Sequence, residues 1–558
     1  MASRPLNPLA ATANGHHEFN GRFTNDLTEE HRATLRTYCA TFEERVRAFD
    51  RAQLNATDQL SYDLFLYNSR RCRENLAIDF HLMPIDQGGY SLAATFPIWA
   101  SGKGAQPFRT VVDYDNFLKR IAGFVEWMDT AIANMRRGMA RGLVQPREAM
   151  QSVLPQLEAM IVDEPKKSVF YQPIAAFPAE LPAAERERLA AAYEAAIREQ
   201  IVPAYRRVHT FIRNEYLPKT RASAGLAGLA DGGKLYAHAI RTQTTLELTP
   251  AQLQAIGRRE MAATRERMEA LKKASGFSGS LIEWARQLRT TRVRYDTAEE
   301  VIAAYRKLHE QVYPQLGRLF GRLPRASYDI RPVEAHREDG TTSQYSRSGP
   351  GRPAVFYVNL RNLKQSGSGA SESLFLHETY PGHHLQIALA QETRGLPNFR
   401  RTAGYGAYVE GWASYAETLG HELGLYRDPY QHMDFLNGEL GKAASLVVDV
   451  GLHAEGWSLE RAMEFWRENT LSAHLYPEAV VERGMRSGME RAMVWPAFGT
   501  VYKIGQMKML ELRARAEAKL GPRFSLRAFH QEILRDGALP LPILEAKIDR
   551  WIESLSRY

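Results

Sequence analysis

The sequence predicts a mainly α protein in two lobes, with a small β-sheet next to a helix that carries a His-Glu and a His-His pair. Three observations predict it. Apolar residues recur at three-to-four spacing over most of the 558 residues, the mark of helices that bury one face. Between Tyr328 and Leu360 this period gives way to β-branched and aromatic runs flanked by Gly, Ser and Pro. The glycine-rich stretch Pro218–Leu248 interrupts the helical pattern, which places a boundary near residue 230, between a helical lobe of residues 21–230 and a second lobe of residues 231–558.

Composition narrows the function. With 44% hydrophobic and 24% charged residues the chain is an ordinary globular one. The net charge of +8 comes mainly from Arg interspersed with acids, without a Lys/Arg run, so a solvated surface is expected and no nucleic-acid partner. No apolar run approaches the roughly 20 residues of a membrane helix, and no transmembrane segment is expected. Cys39 and Cys72 have no metal-ligand spacing; buried thiols and a disulfide both fit, and the disulfide would suit an exported protein. The start Met1-Ala-Ser-Arg-Pro-Leu-Asn is not a signal peptide. The expected compartment is periplasmic or secreted if a leader has been removed, and cytoplasmic otherwise.

Taken in order, residues 1–20 are small and polar without period, and disorder is expected there. Leu35, Tyr38, Cys39 and Phe42 illustrate the helical spacing of Asp26–Arg73. His81–Pro107 reads as a loop packed down by Tyr90, Phe96 and Trp99. Helices are predicted at Val111–Gly142, Glu148–Ile161 and Ala183–Leu217, and a further one starts at Thr249-Pro-Ala-Gln252, a capping box with Pro at the first helical position. Tyr328–Glu334 and Ala354–Leu360 are the predicted strands. A strand there could hold an extended peptide along its edge or simply brace the helix that follows.

That helix carries the chemistry. Ser371–Gln386 runs apolar into His377-Glu378-Thr-Tyr-Pro381-Gly382-His383-His384. A His followed by Glu and then by another His is the zincin arrangement, in which two imidazoles hold zinc and the Glu takes a proton from its water. The position four residues after His377 is Pro381, which can neither ligate nor donate to the helix ladder. On an undistorted helix His383 would point about 240° away from His377, and His384 would stand roughly 10 Å along the axis. A local bulge that absorbs two residues returns His383 to the ligand position, with His384 as a supporting group or substitute ligand. His421-Glu422 has no ligand type four or six residues on and reads as a solvated helix end.

His377-Glu-Thr-Tyr-Pro-Gly-His-His-Leu-Gln386 resembles the signature of a large bacterial family known as domain of unknown function 885. The segments Tyr408–Glu417, Leu446–His453, Arg491–Pro496 and Tyr502–Gly505 resemble further motifs of that family in the same order, so the resemblance spans at least residues 230–515. It implies a zinc-metallopeptidase-like protein with a zincin-like helical fold related to the gluzincins, whose third zinc ligand is a Glu on the helix after the motif. Glu410 matches that Glu. Glu417, seven residues on, is left to hydrogen-bond a ligand or brace the helix. Asp449 and His453, one turn apart, form either a structural pair or an oxyanion donor with its tautomer set by Asp449. Tyr502 could donate to the oxyanion, and Lys503 and Arg352 could bind a substrate carboxylate. Pro496-Ala-Phe-Gly499 departs from the family's Pro-Gly-Gln-Ala.

The function expected from these groups is Zn2+-dependent cleavage of amide bonds in short peptides, in the carboxypeptidase direction. His377, His383 and Glu410 would hold the metal, and Glu378, His453 and Tyr502 would act on the substrate. The alternatives are an amidase acting on a non-peptide or isopeptide amide, and a binding protein without catalysis.

Overall fold

The computed structural model describes residues 4–87, 91–333, 338, 342–349, 352–361, 363 and 369–556. Among the described residues the protein is mainly helical with one three-stranded sheet, and it divides into two compact units. The first is Met1–Ala224 with Gly228–Ala230 and Gly349–Gly351; the second comprises Gly225–Ala227, Asp231–Ser348 and Arg352–Tyr558.

In the first unit α1 (Glu29–Arg47) and α2 (Ala56–Leu76) form a pair joined by a Cys39–Cys72 disulfide. The core is built on α3 (Val111–Ala140), opened by a Thr110/Asp113 capping box. Its buried residues Tyr114, Phe117, Ile121, Phe124, Met128 and Met135 follow helical spacing. Two expectations fail in this unit. The 81–107 segment is not loop throughout, because Leu92–Ala100 is a helix whose buried Phe96 stacks on Phe117 and Phe124; the clustered turn-forming residues around it hide the short apolar face. Nor is the 4–20 stretch disordered. It forms a helix at Pro8–Ala13, and the buried Arg120 guanidinium donates to Pro8 O, Thr12 Oγ1 and Phe19 O. A cation in the core must satisfy its donors, and these oxygens do so. Residues 1–3 of that expectation lie outside the described residues.

The first long helix of the second unit is α4 (Gly232–Thr244), inside the stretch expected to be broken. α5 (Pro250–Ala274) starts at the capping box, with Thr249 Oγ1 accepting from Gln252 N–H and Gln252 Oε1 accepting from Thr249 N–H. After α6 (Ala298–Val312) comes the sheet: β1 (Tyr328–Pro332), β2 (Gln344–Ser346) and β3 (Ala354–Val358), in the order β1-β3-β2. β1 and β3 pair in parallel, and β2 lies antiparallel on the other side of β3 as an edge. β2 is too short to announce itself as a strand; Glu334, the end of the first predicted strand, lies outside the described residues.

The sheet positions the motif helix through contacts. Phe356 of β3 packs edge-on against Tyr305 of α6 at 5.1 Å. The Tyr305 hydroxyl then accepts the N–H of Ser371, which caps α7 (Glu372–Glu378) by accepting from Leu374 N–H. α8 (His383–Glu392), α9 (Gly406–Thr418), α10 (Pro429–His453) and α11 (Val501–Leu520) complete the elements around the site. Among the described residues no helix is long and apolar enough to cross a membrane.

Candidate metal centre

Pro381 and Gly382 do not bulge a continuous helix; they end one and start another. α7 stops at Glu378, Thr379–Gly382 is a non-helical turn with a cis Tyr380–Pro381 bond, and α8 resumes at His383. Pro381 has no N–H for the ladder. At Gly382 only glycine fits, since a Cβ would fall 1.9 Å from His377 O. The Trp412 indole N–H donates to Pro381 O at 2.9 Å and ties the turn to α9.

The turn brings His383 next to His377, with ring centroids 4.7 Å apart. Glu410 of α9 faces both: its Oε2 lies 3.4 Å from His377 Nε2 and 3.4 Å from His383 Nε2. The three donor atoms fall within 4.8 Å of one another. Donors bound at about 2.0–2.1 Å to one tetrahedral ion are separated by roughly 3.3 Å, so this spacing suits a zinc-sized ion. α9 delivers Glu410 by packing unusually close to α11: a Cβ on Gly505 would meet Ala407 O at 1.8 Å, and one on Gly411 would meet Gly505 Cα at 2.4 Å.

The electrostatics ask for a cation. Burial alone would strip the proton from His377, but Glu410 and Glu417 outweigh it and hold the ring up at about 10. Burial would raise Glu410, yet the two imidazoles hold its carboxyl far below the usual range. A proton or a divalent ion answers this field. His377 Nδ1 donates to Glu417 Oε1 at 2.8 Å, leaving Nε2 for an ion. Glu417 Oε2 accepts from Ser373 Oγ and pairs with Lys442, both at 2.7 Å.

Glu378 is buried beside this cluster, and its Oε2 accepts the Tyr345 N–H of edge strand β2 at 2.7 Å. Burial pushes its carboxyl above the usual range while His377 and His383 pull it down. Tyr502 lies with its ring nearly parallel to that of His377, centroids 6.1 Å apart.

His384 stands apart from the three. Its Nε2 lies 3.0 Å from Ala326 O and 3.1 Å from the Tyr380 hydroxyl, and its Nδ1 lies 3.1 Å from the Tyr345 hydroxyl. Burial drives its pKa down to about 4, so the ring is neutral and props the turn against the sheet.

Three expected roles are corrected. His453 cannot reach an oxyanion: it is fully buried, Nδ1 accepts the Leu226 N–H, and Nε2 donates to Ala492 O. Asp449 does not set its tautomer but accepts from the Tyr236 hydroxyl at 2.6 Å and from Ala497 N–H at 2.9 Å, holding Ala497 in the left-handed region at φ 63°. Lys503 cannot bind substrate, because it is buried in an ion pair with Glu439 at 2.6 Å. Arg352 is half-buried and close enough to Arg347 to lower the latter's pKa, after the larger effect of burial. Tyr345 and Lys442 are the residues that sequence reasoning missed; neither belongs to a ligand pattern.

A mainly helical fold in which a broken His-Glu helix meets a carboxylate from the next helix defines a class of candidate metalloproteins. Within it, the chain belongs to the bacterial proteins of unknown function grouped as DUF885, matching that family over residues 8–548. Among solved structures, a protein of Colwellia psychrerythraea provisionally described as a lipoprotein is similar over 99% of both chains, with 25% identity and a TM-score of 0.88. One from Shewanella oneidensis, provisionally described as a lipoprotein of unknown function, shares the fold over 98% of this chain and 97% of its own, with 17% identity and a TM-score of 0.72. None of the curated proteins matches.

Proposed function

We propose that this protein is a zinc-dependent hydrolase with a zincin-like site, cutting amide bonds of short peptides. The observation that carries the reading is the convergence of His377, His383 and Glu410 within 4.8 Å, with Glu378 next in sequence. Two imidazoles and one carboxylate are a donor set that leaves a zinc ion an open position. When bound there, the ion supplies a Lewis acid that polarises the amide carbonyl and acidifies water. The protein's own groups do the rest. Glu378, its carboxylate oriented by the Tyr345 N–H, takes the proton of the attacking water and passes it to the leaving amine. Tyr502, stacked beside His377, donates to the oxyanion, a contribution of about 3 kcal/mol. Arg352, beside Arg347, receives the substrate's C-terminal carboxylate, which gives the carboxypeptidase direction. Export to an oxidising compartment is part of the proposal. It is supported by the Cys39–Cys72 bridge and by the description of the two relatives.

The test is metal analysis of the purified protein combined with turnover on short peptides bearing free or blocked ends. About one zinc per chain and loss of activity to a chelator are expected. C-terminal amidation should lower kcat/KM about tenfold to a hundredfold, as loss of a charge-assisted contact does, while N-terminal acetylation should change it little. An active preparation without a transition metal would refute the metal site. Sensitivity to acetylation instead of amidation would refute the carboxylate anchor.

A further inference from the structure

Behind His377 lies a chain of charges that is buried or nearly so. His377 Nδ1 donates to Glu417; Lys442 Nζ bridges Glu417 Oε2 at 2.7 Å and Glu439 Oε1 at 2.8 Å. Lys503 Nζ pairs with Glu439 Oε2 at 2.6 Å and donates to Gln506 Oε1 at 2.9 Å. Gln506 Nε2 closes the array on Glu439 Oε1 and on Ser414 O, each at 2.9 Å. Glu417, Glu439, Lys503 and Gln506 are buried, and the Lys442 side chain is 13% exposed. Two carboxylates face two ammonium groups, so the array is neutral.

Such an array is a poor way to gain stability. Taking four ions out of water costs several kcal/mol each, and well-packed apolar side chains of similar volume often serve as well or better. What apolar residues cannot do is hold a carboxylate against a histidine. The array spans α7, α9, α10 and α11, and each carboxylate oxygen in it is held by a partner on another element or turn.

We infer that Lys442, and through Glu439 also Lys503, are positioning residues for the metal centre: they clamp the Glu417 carboxylate that orients His377, and so set the affinity for the ion. This rests on the metal-binding reading of His377, His383 and Glu410. Among the described residues, removing Lys442 leaves Glu417 Oε2 with Ser373 alone, and the His377 ring loses its fixed direction. Removing a partner that orients a ligand costs tenfold to a hundredfold in metal affinity.

The experiment is a double-mutant cycle in zinc affinity, measured by competition with a chromophoric chelator on the full chain. The four species are the parent, Lys442→Met, Glu417→Gln and the double variant. Lys442→Met should bind zinc about tenfold to a hundredfold more weakly. In the Glu417→Gln background the same change should cost less than about twofold, because a residue acting through Glu417 has nothing left to act on. Lys442→Arg, which keeps the charge, should restore most of the affinity, and the cobalt-substituted Lys442→Met protein should show a shifted ligand-field spectrum. If Lys442→Met does not fold, Lys442→Gln takes its place in the cycle. Additive losses, or an unchanged affinity in the single Lys442 variant, overturn the inference. A parent protein that binds no metal refutes the metal site itself and is distinguished by that alone.

Discussion

Glu378 and His377 are adjacent, and they are proposed to have different duties, base and ligand, in keeping with what each faces. His377 presents Nε2 to Glu410 and Nδ1 to Glu417, whereas the Glu378 carboxylate turns to the Tyr345 N–H of the edge strand. Glu378→Gln is therefore expected to retain zinc and lose turnover by about a hundredfold to ten-thousandfold, the range for a general base. His377→Ala, His383→Ala and Glu410→Ala are expected to lose the metal itself. His384→Ala should keep zinc while losing about 1–3 kcal/mol of stability, since it strands the buried partners of the ring. Metal content and turnover on the same preparations separate these outcomes; substantial activity in Glu378→Gln would exclude the proposed base, and zinc loss in His384→Ala with zinc kept in His383→Ala would reverse the ligand assignment.

The arrangement of elements turns on places where a side chain is missing. Gly382 lets α8 restart against the carbonyl of His377, and Gly411 and Gly505 let α9 lie against α11. Glu410 and Tyr502 ride on those two helices, so the crossing sets both their positions. Gly505→Ala must push the helices apart, at a cost of about 1–3 kcal/mol for an overpacked contact, and it should weaken zinc binding as Glu410 moves. Gly488→Ala, on the helix Glu478–Val494 with open space where its Cβ would be, is the matched control. It should raise stability by up to about 1 kcal/mol through helix propensity. Equal melting temperatures and equal zinc affinities for the two variants would show that the crossing does not place the ligand.

At the level of the whole molecule, buried charge makes stability depend on pH. Burial pushes Asp449 up to about 7 from an ordinary 3.8, against the opposing effect of its bonds from Tyr236 and Ala497. The folded state then binds a proton that the unfolded state has released between those two values, so stability is greatest below about pH 4 for this group and falls as pH rises to 7. The full difference is on the order of 4 kcal/mol. Asp449→Asn keeps an oxygen for Ala497 N–H but does not titrate. Its denaturation midpoint, followed from pH 4 to pH 8, should lack this downward component; an unchanged pH profile would show that Asp449 is ionised throughout.

Helical spacing, the Thr249 box and the two longer strands are legible in the sequence because they are local patterns, each written within a few residues. The same holds for the identity of the His-Glu-Pro-Gly-His motif and for the geometric trouble Pro381 causes. The roles of His453 and Lys503 are not legible there, for a common reason: a His or Lys offers the same donors to a substrate as to a buried partner, and only burial tells the two apart. His453 is spent on Leu226 and Ala492, and Lys503 on Glu439. The short strand β2, which brings Tyr345 to Glu378, has too few residues to carry a period. Residue types and their spacing along the chain determined which groups were available for metal chemistry. Which of them meet within 4.8 Å was decided by the tertiary structure, because ligation depends on distances across helices that pack together far apart in sequence, and those distances are set at crossings such as Gly411 on Gly505.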